Sequence, residues 1–195
     1  MKKLYCFDFD GTLTNRDTMF LFLRFYRPSR YYVQYLKHLP LFVLLKLRLV
    51  KAEGVKKSFI SGVLKGETRG AIERKAQAFF QRYYPEIIRE NALEFIANRD
   101  RQNTEALLVT ASMDLWVRPF AEKFGMSLLA TEGYFQQEVF TGEFKTPNCN
   151  GEQKVFRIRQ FIEGKRYDKI IAFGDTSGDR PMMKFADDRY YRFFH

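Results

Sequence analysis

Two kinds of apolar pattern alternate along this chain. Short apolar runs that stop at polar or acidic tips read as strands. Lys3–Phe9 ends in acidic residues and Gly11, Thr104–Thr110 (TEALLVT) runs into Ala111–Ser112, and Lys169–Phe173 (KIIAF) runs into Gly174–Asp175. Three such strands predict a parallel sheet that collects functional groups at its carboxyl edge. Leu128–Ala130, Val139–Phe144 and Tyr190–Phe194 are shorter strand candidates. Apolar residues at helical spacing mark Leu115–Phe124, where Pro119 predicts a kink or an early start. They also mark Gln153–Ile162, striped by Val155, Ile158 and Ile162.

Between the first two strands the pattern is helical for some eighty residues. Stretches at Thr18–Tyr26, Tyr31–Lys51 and Arg69–Ile96 are separated by expected breaks near Pro28, Pro40, Gly54, Gly62 and Gly66. That is too long for one crossover, so a separate helical lobe is expected. The chain divides into an α/β core over 1–13 and 97–195 and a helical insertion over 14–96, with Pro85 marking the return. The insertion is rich in aromatics, among them Phe20, Phe22, Phe25, Tyr26, Tyr31, Tyr32, Tyr35 and Phe42. These are expected to fill a small helical core, some of them lining an apolar, basic-rimmed mouth.

The charge sharpens this division. Of a formal net charge of +10 over 195 residues, Thr14–Phe95 carries +9, with 16 basic and 7 acidic residues. Such an excess attracts an anionic partner: nucleic acid, an acidic lipid surface or a phosphorylated substrate. No nucleic-acid motif accompanies it, so nucleic acid is not expected as a partner. Two cysteines, Cys6 and Cys149, make no disulfide framework, and with only two His beside them no zinc site of the usual ligand set is expected. The expectation is a cytoplasmic protein without a secretory signal, because the apolar start is cut at once by Asp8 and Asp10. The most hydrophobic run, Leu36–Val50, has a charge-free part of only His38–Leu45, too short to span a bilayer. A helix lying on a membrane surface stays open.

The candidate chemistry sits at the strand ends. Asp8 and Asp10, in DFDGT, are two apart where a strand ends, so both carboxylates can reach one site. Asp175 and Asp179, in GDTSGD, stand four apart on a glycine-bounded loop after the third strand. Oxygen-only ligands of this kind suit Mg²⁺ better than Zn²⁺. Thr110 and the amides of Ala111 and Ser112 can hold phosphate oxygens at a strand-to-helix turn. Lys154, early in a helix, can neutralise an aspartate and a transferring phosphoryl group. Asp187 and Asp188 read as ordinary loop acids.

In this order, DFDGT (8–12), Thr110 in LLVTAS, Lys154 and GDTSGD (174–179) resemble the four motifs of the haloacid dehalogenase (HAD) superfamily of phosphohydrolases. The helical insertion resembles the C1 cap of the phosphoserine phosphatase-like branch, subfamily IB. The resemblance implies a Rossmann-like α/β core of HAD type with an inserted cap, and Mg²⁺-dependent hydrolysis of a phosphomonoester. By it, Asp8 would be the nucleophile and Asp10 the general acid and then base. Mg²⁺ would be held by Asp8, the Asp10 carbonyl and Asp175, with Asp179 completing or supporting the shell. Thr110, Ala111 and Lys154 would bind the phosphate.

For the substrate, Asp17 stands where the phosphoserine phosphatases carry an acid, one methylene shorter than the usual Glu. The later cap stretch KKSFISGVLKG (56–66) lacks their arginine. The cap is more similar to phosphatidylglycerophosphatase C-like proteins, through DTMFLFLRFY (17–26) and HLPLFVLLKLRLV (38–50). That likeness implies phosphatidylglycerophosphate as substrate and peripheral contact with the inner face of the cytoplasmic membrane. Asp17 and Phe20, both in that first cap stretch, are the cap residues expected to face the substrate. The alternative is a soluble phosphatase of the phosphoserine phosphatase-like kind, and the distant one a non-enzymatic anion- or nucleic-acid-binding protein.

Overall fold

Five strands, all parallel, form the central sheet in the order β3-β2-β1-β6-β7 of the computed structural model, which describes residues 2–47 and 49–195. They are β1 (Lys3–Phe7), β2 (Thr104–Met113), β3 (Ser127–Thr131), β6 (Lys169–Gly174) and β7 (Asp188–Tyr191). Strand β1 is central, with Lys3 opposite both Thr104 and Lys169, and its inward side chains are wholly buried. Phe7 stacks on Phe173 of β6 with ring centroids 4.8 Å apart. The expected α/β core with a parallel sheet and an inserted helical lobe is therefore present.

The helices are α1 (Thr18–Tyr26), α2 (Pro28–Lys46), α3 (Ala52–Leu64), α4 (Arg69–Tyr83), α5 (Glu90–Ala97), α6 (Asp114–Phe124), α7 (Glu152–Ile162) and α8 (Arg180–Phe185). Helix α1 begins because Asp17 caps it, accepting bonds from the amides of Met19 (3.0 Å) and Phe20 (3.3 Å). The stretch expected as one helix over 31–51 is instead α2 and the start of α3, with Arg48 of the link outside the described residues, like Met1. Pro40 does not break α2. It sits on the solvent side, where water can hydrate the Leu36 carbonyl that loses its partner. Nor do Gly54 and Gly62 break α3: a Cβ on Gly62 would lie 2.5 Å from Gln34 Oε1, so this glycine lets α2 and α3 approach.

The stretch expected over 69–96 divides into α4 and α5, and α5 belongs by its packing to the sheet: Phe95 meets Tyr5, Phe7 and Phe173 edge-on. The unforeseen β4 (Gly133–Gln136) pairs with β5 (Val139–Phe144) as an antiparallel hairpin. This hairpin ties the helices to the core: the Gly66 amide donates to the Phe140 carbonyl and the Phe140 amide to the Glu67 carbonyl, each at 2.9 Å. Asp187 and Asp188 are not plain loop acids. Asp187 accepts the Ile170 amide at 2.7 Å, and Asp188 starts β7 and pairs with Lys169 at 2.7 Å. Of the aromatics expected in the lobe's core, Phe22, Tyr26 and Tyr31 are buried, whereas Tyr32 and Tyr35 face solvent.

Candidate active site

The chain turns sharply after β1, with Leu13 and Thr14 amides both donating to the Phe9 carbonyl. Gly11 occupies the left-handed region at φ 86°, and a Cβ there would lie 2.5 Å from Asp175 Oδ2. This turn presents Asp8 and Asp10 at the carboxyl edge of the sheet. The loop after β6 presents Asp175 and Asp179 beside them. Carboxylate oxygens of Asp8, Asp175 and Asp179 lie within 4.8 Å of one another.

Lys154 holds this cluster together. Its side chain is 1% exposed, and its ammonium donates to Asp8 Oδ1 (2.6 Å), Asp179 Oδ1 (2.7 Å) and the Val109 carbonyl (2.8 Å). Three protons thus meet three acceptors, which is what makes a buried lysine tolerable. Asp8 Oδ2 accepts from the Thr12 hydroxyl at 2.8 Å, and the same hydroxyl lies 3.0 Å from Asp175 Oδ1. Asp179 Oδ2 takes donors from its own loop, the Thr176 hydroxyl (2.8 Å) and amide (2.9 Å) and the Asp175 amide (3.2 Å).

The charges in this group differ in kind. Burial pushes the Asp8 carboxyl up to about 7, against the lowering charge of Lys154 and with a further rise from Asp179. Burial also acts upward on Asp179, but the charge and hydrogen bonds of Lys154 outweigh it and leave that carboxyl below its usual range. Lys154, which burial alone would discharge, is held charged by Asp8 and Asp179. Four carboxyl groups, those of Asp8, Asp10, Asp175 and Asp179, crowd this edge around the buried ammonium of Lys154, an excess of acids over cations. Three close, hard oxygen donors and that excess fit a divalent cation such as Mg²⁺.

Asp10 faces the helices. Its Oδ1 accepts the amide (2.7 Å) and hydroxyl (2.6 Å) of Thr18, and its Oδ2 accepts the Ser112 hydroxyl at 2.6 Å. Thr18 in turn accepts the indole N–H of Trp116 at 3.2 Å. Asp10 therefore ties β1, the start of α1 and the end of β2 together. Thr110, Ala111 and Ser112 do not lie at a strand-to-helix turn: β2 continues to Met113, and its pairing with β3 slips between Thr110 and Met113. That irregularity is what turns the segment towards the acids.

A cavity of about 370 Å³ opens over these groups, and Asp8, Asp10, Asp17, Phe20, Thr110, Ala111, Lys154 and Asp179 all line it. Asp175 stands behind its floor, against Thr12. One wall is apolar, made by Phe20, Phe42, Leu45, Val55 and Phe59. A larger hollow near Lys3, Glu94 and Arg99 at the opposite edge of the sheet contains none of Asp8, Asp10, Asp175 and Asp179.

Lys56, which sequence reasoning passed over, reaches into the cavity from α3. Its ammonium donates to the Ala111 carbonyl at 2.5 Å and to Asn148 Oδ1 at 3.4 Å. Burial lowers its proton affinity, with Asp10 and Asp17 opposing that effect. Asp17, on the rim and crowded by protein, has its carboxyl lifted to about 6, by desolvation first and the charge of Asp10 second. Lys56 and Asp17 thus bring opposite charges from the inserted helices into the same cavity, each within electrostatic reach of Asp10.

The family model for haloacid dehalogenase-like hydrolases matches residues 6–184. The chain belongs to this family. It is 32% identical over 193 residues to protein CicA of Caulobacter vibrioides, covering 98% of this chain and 86% of that one. Its fold is similar to that of a protein of unknown function from Bordetella pertussis Tohama I, at TM-score 0.86 and 20% identity, covering 98% and 90% of the two chains. It is also similar to a phosphoserine phosphatase solved as a phospho-aspartyl intermediate analogue, at TM-score 0.64 and 23% identity, covering 97% and 86%. The cluster around Asp8 therefore sits in a hydrolase fold.

Proposed function

We propose that this hydrolase is a Mg²⁺-dependent phosphatase that cleaves phosphomonoesters through an aspartyl-phosphate on Asp8. The carrying observation is Asp8 itself, buried at the cavity floor with one oxygen on Lys154 and the other on Thr12, two residues from an Asp10 anchored at the cavity side. Asp8 attacks phosphorus while the bond to the ester oxygen breaks. Asp10 gives its proton to the departing alkoxide and then takes one from the water that attacks the aspartyl-phosphate, which returns Asp8 and releases phosphate. Lys154 and the Thr110–Ser112 segment meet the phosphoryl oxygens. Asp8, Asp175 and the Asp10 carbonyl, supported by Asp179, would hold Mg²⁺, which offsets negative charge on the phosphoryl group. The helices of the 14–96 insertion that precede α5 would act as a cap of the C1 kind.

The substrate class favoured is a small soluble phosphomonoester with an amino-acid-like tail, as in phosphoserine. Lys56 and Asp17 supply a cation and an anion at the cap end, where a carboxylate and an ammonium would meet them. The enzymes named phosphoserine phosphatase among the structural relatives support this class. A lipid phosphomonoester such as phosphatidylglycerophosphate is the second reading, favoured by the apolar wall of Phe20, Phe42 and Phe59.

Phosphate release from phosphoserine, glycerol phosphate, nucleoside monophosphates and micellar phosphatidylglycerophosphate, with and without Mg²⁺, tests the reading. Release is expected only with the ion, and a panel without turnover overturns the proposal. Lys56→Met is expected to raise KM for phosphoserine about tenfold or more, the loss of one charged hydrogen bond, while KM for p-nitrophenyl phosphate stays unchanged. Equal KM values for phosphoserine in the two proteins would remove Lys56 from the substrate site.

A further inference from the structure

Helix α2 has two apolar faces, and among the described residues only one has a partner. Tyr31, Gln34, His38, Phe42 and Leu45 turn inward, with His38 bonded to the Ser58 hydroxyl of α3 at 3.0 Å. On the opposite side Tyr32, Leu36, Leu39, Val43 and Leu47 recur at helical spacing. All five are exposed, Leu36 by 65%, Val43 by 57% and Leu47 by 61%, so the row faces solvent along four turns. An isolated exposed leucine needs no explanation, but a continuous row of this length marks a contact surface.

Charge identifies the occupant. From Thr18 to Ala52 the chain has seven basic residues and no acidic one. By the helix period, exposed Lys46 flanks the apolar row on one side and exposed Lys37 on the other, with exposed Lys51 just beyond the helix. An apolar stripe between two lysine borders, without an acid among them, is complementary to a surface that is negative outside and hydrocarbon beneath. Lysine stems can lie along the apolar row while their ammonium groups reach lipid phosphates. Tyr32 and Tyr35 suit the headgroup level, where one end of the ring is wet. A second copy of the same face would bring these cations against one another instead. Among the described residues no helix is long and apolar enough to cross a membrane, so the contact is along the helix and not through the bilayer.

We propose that the outer face of α2 docks this protein on an anionic phospholipid surface. The face lies one helix width from the cavity, because Phe42 and Leu45 of the same turns form part of the cavity's apolar wall. Docking would place the cavity mouth beside the headgroups. The inference stands whether or not the substrate is a lipid.

Co-sedimentation of the whole protein with vesicles tests it, using phosphatidylcholine alone and an equal mixture of phosphatidylcholine with phosphatidylglycerol. Binding to the mixed vesicles is expected at low salt, falling as salt rises. Each cation at the surface contributes about fivefold, so Lys37→Glu with Lys46→Glu should lower the affinity by well over tenfold. Leu36→Glu with Val43→Glu should abolish binding while leaving p-nitrophenyl phosphate turnover and the melting temperature unchanged, since neither side chain touches the core or the cavity. No binding to mixed vesicles at low salt overturns the proposal. So does equal binding by the Leu36→Glu, Val43→Glu variant. A solution dimer that the variant dissolves, without vesicle binding, would overturn it in favour of a second copy.

Discussion

Asp8→Asn is expected to lower phosphate release by about 10⁴-fold or more, the scale seen when a nucleophile that works as part of a unit is removed. The amide oxygen can still accept from Lys154, and the amide N–H can donate to the Thr12 hydroxyl oxygen while that hydroxyl turns its own proton to Asp175 Oδ1, so both contacts keep a hydrogen bond. The electrostatics improve: one buried ammonium now faces one carboxylate, that of Asp179, in place of two. The metal-free variant is therefore expected to melt at the same temperature as the parent or higher. Rate and stability moving in opposite directions separate a lost nucleophile from a damaged fold. Turnover at the parental rate would end the assignment of Asp8.

Lys154→Met reverses both arguments. The change keeps the length of the side chain and deletes its charge. Asp8 and Asp179 then share a buried site with no counter-charge, and the Val109 carbonyl loses its donor. Breaking a buried ion pair from one side costs about 3–5 kcal/mol. Urea melts in the presence of chelator should show that loss. Phosphate release should fall by about 10²–10³-fold, since a donor aimed at the charge on the transferring group is gone. Combining it with Asp8→Asn should recover part of the stability and none of the activity. Unaltered melting and turnover in Lys154→Met would leave Lys154 without its place in the site.

The acidic pieces of the site were legible because each closes a strand. An apolar run followed by DFDGT or GDTSGD places its acids at a sheet edge whatever the insertion between them does. Lys56 was not legible. In VKKSF it is one of two adjacent lysines, and only the packing of α3 against the β4–β5 hairpin decides which enters the cavity. Its neighbour Lys57 points away to Glu143, at 2.7 Å. Thr12 and the hydroxyl of Ser112 escaped for a similar reason. Their roles depend on Asp175 and Asp10, distant in sequence and joined only by the assembled sheet. Helix breaks were misjudged where Pro40 and Gly62 met surroundings that tolerate them: water over one, the Gln34 side chain against the other. Strand β4 was missed because GYFQ is too short to carry a period of its own.

Strand β1 stands between β2 and β6, and its partners follow it by 101 and 166 residues at the registers of Lys3 with Thr104 and Lys169. At a synthesis rate of about 5–20 residues per second, β1 waits about 5–20 s for β2 and about 8–33 s for β6. During that time a five-residue run, KLYCF, is outside the ribosome with both edges open. Charges bracket it, with Lys2 before it, Lys3 as its first residue, and Asp8 and Asp10 after it. Like charges on two copies oppose in-register stacking of such a segment. The acids of the finished cavity thus also set like charge beside a strand that, early in synthesis, has nothing yet to pair with.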